Sequence, residues 1–241
     1  MSIICKLTKI EGKSVKAHIV PKAFYDLPLQ KEGVSKIYSN STGAFTKKMP
    51  IGVYDDGIVT IEGEAVFGDL DNYAIDLLLN QIDAFDEISK NGDIGGWNLK
   101  KYDYKLLKLF ALSVLWRAHS STKDIYSKVS LGPHEPAIRE MVLAGSPDRE
   151  EKYSVIFARW QGDDIENVIM DPFLERYEGI NHYRIYCGKY IIYVKVDSRK
   201  TRGVFTKVQL KPDSPLYVIR REFNKSKERK VMIDVLSSHN R

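Results

Sequence analysis

Cysteine is scarce in this chain: of its 241 residues only Cys5 and Cys187 carry thiols. Two thiols so far apart build neither a disulfide framework nor a four-cysteine zinc site, and so thiol-poor a chain suits a reducing cytoplasm. Long apolar runs are missing as well. No segment approaches the roughly 20 apolar residues of a membrane helix, and the first residues hold no apolar stretch of signal-peptide length. The sequence therefore predicts a soluble, cytoplasmic protein with no membrane partner. Positive charge is nearly absent from one stretch: over residues 55–93, eleven acids stand against one base, Lys90.

What is present balances these gaps. An apolar content of 43% suffices for a real core, as one large domain or as a small module with a second layer. The net charge of +5 arises mainly after Lys189, at Lys195, Arg199, Lys200, Arg202, Lys207 and Lys211 and then over residues 220–230. Charge segregated in this way draws phosphate to one face, or holds two copies of the chain together. Composition does not choose between nucleic acid, a protein partner and a homo-oligomer.

Pattern along the chain predicts an α+β fold. Residues 3–8 and 15–20 read as a hairpin about Glu11, Gly12 and Lys13, closed by Pro21. Residues 27–54, rich in Ser, Thr, Gly, Lys and Asn, read as a long irregular loop. Helical spacing of Ile75, Leu78, Leu79, Ile82, Phe85 and Ile88 predicts an amphipathic helix over 72–89. A second, apolar over most of its circumference, is expected over 104–120, and a third over 135–144 between Pro136 and Gly145. Residues 153–160, 182–187, 190–196 and 204–210 read as strands, with a hairpin turn at Gly188. The last stretch, 220–241, reads as a docked segment or a frayed tail.

Several short patterns carry a resemblance. Cys5-x-x-Thr8 precedes Ala17-His18 and Pro21-Lys22; Thr60-x-x-Gly63-Glu64 precedes Asp69 and Asp71; then come Leu107-Lys108, Phe110, Ser113, Trp116-Arg117, Leu131 and Arg139. In order and spacing over about residues 1–150 the chain resembles HNH-type endonuclease-like proteins. The resemblance implies a degenerate ββα-metal module over residues 1–90; the helical pattern places a layer packing on it over 91–150, and the strand pattern a basic, antiparallel β-rich part over 151–241. The resemblance also implies metal-dependent phosphodiester hydrolysis as the ancestral chemistry, in a setting of defence against foreign DNA. In such a scheme His18 activates water, Asn40 is the loop asparagine, and Lys22 or Lys47 contacts phosphate. Glu64, with Asp69 or Asp71, holds Mg²⁺ or Mn²⁺.

The same resemblance exposes what has been lost. Family members hold structural zinc on two cysteine pairs; here the pairs read Cys5-x-x-Thr8 and Thr60-x-x-Gly63, and neither Thr nor Gly replaces a thiolate. No structural zinc is expected. Ala17 stands where many of these enzymes place an aspartate. A catalytically silent descendant that binds nucleic acid or a protein is thus the alternative to an active nuclease.

Plainer readings stand beside these. His18 reads equally as a structural histidine at a strand end, and Glu64, Asp69 and Asp71 as charges that favour a helix start. His119, His134 and His182 read as structural. The basic C-terminal strands, with Tyr190, Tyr193 and Phe205 interleaved, read either as a solvated face or as a platform on which bases stack while Lys195, Arg199, Lys200, Arg202 and Lys207 hold phosphates.

Overall fold

The computed structural model describes residues 1–25, 36–38, 47–48, 52–90, 93–161 and 168–238. β1 (Ser2–Ile4) and β2 (Glu11–Lys13) pair antiparallel. Residues 5–10 form the turn, with Lys9 at φ 63°, so Glu11–Lys13, expected as the turn, is itself a strand. β3 (Ala17–His18) stops short of Pro21. Where an irregular loop is expected, β4 (Lys36–Tyr38) and β5 (Lys47–Lys48) pair with each other. The partner of β3 is β6 (Tyr54–Asp55), with Ala17 opposite Asp55 and His18 opposite Tyr54.

α1 (Ile61–Ile75) follows directly, capped by the Thr60 hydroxyl, which accepts from the Gly63 amide at 3.4 Å. Glu62 and Glu64 lie in its first turn, where carboxylates suit the N-terminal dipole. This helix begins and ends earlier than the periodicity predicts. After a wide turn at Asp76–Asn80, Asp76 gathers the side-chain amides of Asn80 and Gln81, and the chain becomes β7 (Asp86–Lys90). β7 pairs with β8 (Asp93–Leu99).

α2 (Tyr104–Ser120) is capped by Asp103, whose carboxylate accepts from the Leu106 amide at 2.9 Å, and every residue from Leu107 to Ala118 is buried. It is the central rod, packed against α1, α3 (Glu135–Leu143) and the sheet. Truncating one of its leucines to Ala should cost about 2–5 kcal/mol.

The rest of the chain adds β9 (Val155–Gln161), β10 (Val168–Met170), β11 (Phe173–Tyr177), β12 (Ile180–Cys187) and β13 (Tyr190–Lys195). Then come α4 (Phe205–Val208), β14 (Leu216–Glu222) and α5 (Lys227–Ser238). A seven-stranded sheet has the order β11-β12-β13-β9-β14-β8-β7; β9 and β14 are parallel and its other pairs antiparallel. The C-terminal part is therefore mixed rather than purely antiparallel. β10 joins β4 and β5 in a small sheet.

The fold is α+β, and its large sheet ignores the boundaries expected at residues 90 and 150, because β7 and β8 complete it beside β14. One hydrophobic core runs from Cys5 to Val218, between the sheet and the helical layer. A second lies on the sheet's other face, where Ile156, Trp160, Tyr186 and Tyr193 meet Phe205 of α4 and Val231 and Met232 of α5. Residues 204–210 form a helical turn instead of a strand: the Thr206 hydroxyl donates to the Gly203 carbonyl and the Gln209 amide to the Phe205 carbonyl. The tail is docked, since Glu228 of α5 is buried against Arg184 and Tyr186.

Candidate functional site

Cys5, Thr8, Thr60 and Gly63, the four positions that the resemblance compares with zinc ligands, converge. The Cys5 thiol, fully buried, accepts from the Thr8 amide at 3.4 Å and also bonds the Thr8 hydroxyl and the backbone of Leu7 and Thr60. A methyl group added at Gly63 would lie 2.6 Å from its sulfur. Burial raises the pKa of Cys5, but the combined hydrogen bonds outweigh it and hold the thiol below its ordinary value. The turn is braced from the helical layer: Arg139 Nη1 donates to the Leu7 carbonyl at 2.8 Å and Lys6 Nζ to the Ser120 carbonyl at 2.7 Å.

Beside this knot lies a buried arginine. Arg117 of α2 grips both oxygens of Asp71, Nη1 at 2.9 Å and Nη2 at 2.7 Å, and Nη1 also donates to the His18 carbonyl at 2.9 Å. Ser113 one turn back accepts from the same guanidinium, and the Phe67 ring lies 4.6 Å beneath it. Glu64 shares the α1 face of Phe67 and Asp71. Its Oε2 is buried without a hydrogen-bond partner among the described residues. Burial raises its pKa; Arg117 pulls it down and Asp71 pushes it up, and the net shift is upward.

The predicted site residues are thus only partly gathered. Asp71 and the His18 backbone bond one guanidinium, whose charge also reaches Glu64, while the His18 imidazole packs edge-on to Tyr54, with ring centroids 6.1 Å apart. Asp69 is exposed, away from the buried face of α1 that carries Glu64 and Asp71. Among the described residues no three His, Cys, Asp or Glu side chains form a group able to hold a metal ion. Lys22 is exposed at the start of a short helical turn, Lys47 lies in β5, and Asn40 lies outside the described residues.

The C-terminal predictions fare differently. Tyr190, Tyr193 and Phe205 are 1%, 4% and 7% exposed, so they offer no stacking platform; the sheet is covered on both faces at β9, β12 and β13. Lys195, Arg199 and Lys200 instead meet at a cleft of about 480 Å³, lined also by His134, Arg149, Glu151, Lys152, Tyr153 and Asp197. Arg202 and Lys207 are exposed and do not line it. Arg117 and Ser113 entered the sequence reading only as pattern residues, and Arg149 did not enter at all. A buried arginine one turn after a serine, facing a helix of carboxylates, is the signal that was available for the first.

Comparison with models of protein families, with curated proteins and with solved structures finds no match for this chain.

Proposed function

We propose that this protein is a catalytically silent descendant of HNH-type endonucleases that binds nucleic acid. The observation that carries the reading is the Arg117 guanidinium, which holds Asp71 and the His18 carbonyl beside Glu64. In the ββα-metal scheme a divalent cation occupies that setting. A fixed guanidinium supplies positive charge there but offers neither an open coordination position nor a polarised water, the two things hydrolysis draws from the metal. The descent is supported by the meeting of Cys5, Thr8, Thr60 and Gly63, and by the path from β3 through β6 into α1. Binding is supported by exposed bases at Arg149, Lys200, Arg202 and Lys207. A cytoplasmic role in defence against foreign DNA belongs to the same reading.

The test incubates the protein with plasmid and single-stranded DNA in Mg²⁺, Mn²⁺ or EDTA and measures binding across a salt series. Expected are intact DNA and an affinity that falls linearly on a log–log plot as salt rises. Metal-dependent cleavage abolished by His18→Ala would restore the active nuclease. Self-association with no DNA binding would replace nucleic acid by a second copy as the partner.

A further inference from the structure

Two loops form the walls of the basic cleft: residues 149–153, which enter β9, and residues 197–200, which leave β13, with His134 at its edge. Its lining holds five bases, Arg149, Lys152, Lys195, Arg199 and Lys200, against Glu151 and Asp197. Two of these bases are neutralised locally, because Arg199 pairs with Asp197 and Lys152 with Asp148. Arg149 and Lys200, one on each wall, make no ion pair among the described residues. With Lys195 they leave a positive surplus over Glu151.

The walls are held in place. The Ser154 and Thr201 hydroxyls bond at 2.7 Å between them, and the Lys195 amide donates to the Ser154 carbonyl at 2.9 Å. Lys108, fully buried on α2, fixes the Arg149 carbonyl at 2.6 Å. Tyr153 is kept at φ 49°, a costly conformation for an aromatic residue, with its hydroxyl on His134 Nδ1 at 3.3 Å. That bond orients the imidazole and turns Nε2 away from the tyrosine.

A prearranged concavity with surplus cations on opposite walls suits a compact dianion better than a long polyanion, which needs charge spread along a groove. We infer that this cleft binds a phosphomonoester, with Arg149 and Lys200 closing on the phosphate. The inference rests on the nucleic-acid reading only in taking the phosphomonoester to be a strand end; a free nucleotide carries the same group.

Equilibrium binding to the full chain tests it with a 5′-phosphorylated oligonucleotide, its 5′-hydroxyl counterpart, a 5′-mononucleotide and inorganic phosphate. The expected result is about tenfold tighter binding of the phosphorylated end, competed by the mononucleotide. Arg149→Glu with Lys200→Glu should erase that preference, whereas Lys13→Glu with Lys101→Glu, the same charge change at two exposed sites outside the cleft, should keep it. Equal affinity for both ends, or a preference that survives the double reversal, overturns the inference and leaves general nucleic-acid binding standing. Mononucleotide and phosphate binding that is lost in the double variant, with no oligonucleotide bound, would uphold the cleft and overturn the nucleic-acid reading.

Discussion

Glu64 and Asp71 lie two turns apart on one helix face, yet their circumstances differ. Asp71 is satisfied by two hydrogen bonds from Arg117, whereas Glu64 keeps one oxygen buried and, among the described residues, unpartnered. Ionised Glu64 is therefore disfavoured by folding, chiefly through burial, and its folded pKa lies above the unfolded value of about 4.3. Between those two values the native state binds more protons than the unfolded chain, so stability falls as pH rises through that window and stays lower above it. Glu64→Gln should accordingly stabilise the protein at pH 7, and the gain should vanish as pH falls to the unfolded carboxylate range. Urea unfolding of both proteins at the two pH values checks this. Loss of stability at pH 7 in the variant would show that the carboxylate is held by something favourable.

Elements differed in how far their sequences betray them. α2 was legible in its extent, because apolar side chains surround it; its cap Asp103 emerges only from the structure. The helical spacing places α1 too late in the chain: Ile75, Leu78 and Leu79 do follow a helix, but Phe85, which closes a short helical turn, and Ile88, which lies in β7, keep its spacing by accident. The segment 204–210 reads as a strand, yet Gly203 at φ 60°, the Thr206 hydroxyl and the backbone bonds of Lys207 and Gln209 wind it into a helical turn. β14 was hidden because its second half, ending in Arg220, Arg221 and Glu222, looks solvated. Of the candidate site, the knot positions and the closeness of the His18 backbone to α1 were readable only through the resemblance, whose pattern sets Cys5 and Thr8 beside Thr60 and Gly63 although they lie far apart in the sequence. The arginine that joins them was not, because its partners lie 46 and 99 residues away.

The hairpin between β12 and β13 belongs to this scale as well. Gly188 is at φ 56°, and a Cβ there would lie 2.4 Å from the Phe24 carbonyl oxygen, so the tip of the sheet touches the segment that follows β3. Gly188→Ala meets both a backbone penalty and a clash with main chain, which cannot swing aside as a flexible side chain can. A loss of about 1–3 kcal/mol is expected by chemical denaturation. A change below about 0.5 kcal/mol, the ordinary range for surface positions, would mean that the tip does not seat on Phe24.

The whole molecule behaves as one unit if its core is continuous, and three observations say that it is. β7 and β8 complete a sheet whose other strands lie after residue 154. The Tyr190 hydroxyl donates to the Leu78 carbonyl at 2.9 Å, and Tyr183 exchanges hydrogen bonds with the backbone of Ser130. A fragment of residues 1–150 would keep α1, α2 and α3 but lose the strands that cover α2, which is buried on every side. It would expose a broad apolar face and leave β8 without β14. Such a fragment should show helical circular dichroism without a cooperative melt, whereas the full chain should unfold in a single transition seen alike by Trp fluorescence and far-ultraviolet dichroism. Trp97, Trp116 and Trp160 lie on β8, α2 and β9, so the fluorescence samples the helical layer, the sheet and both hydrophobic cores. A cooperative melt of the fragment would mean that the N-terminal module carries its own core, and that the sheet is an addition to it rather than its other half.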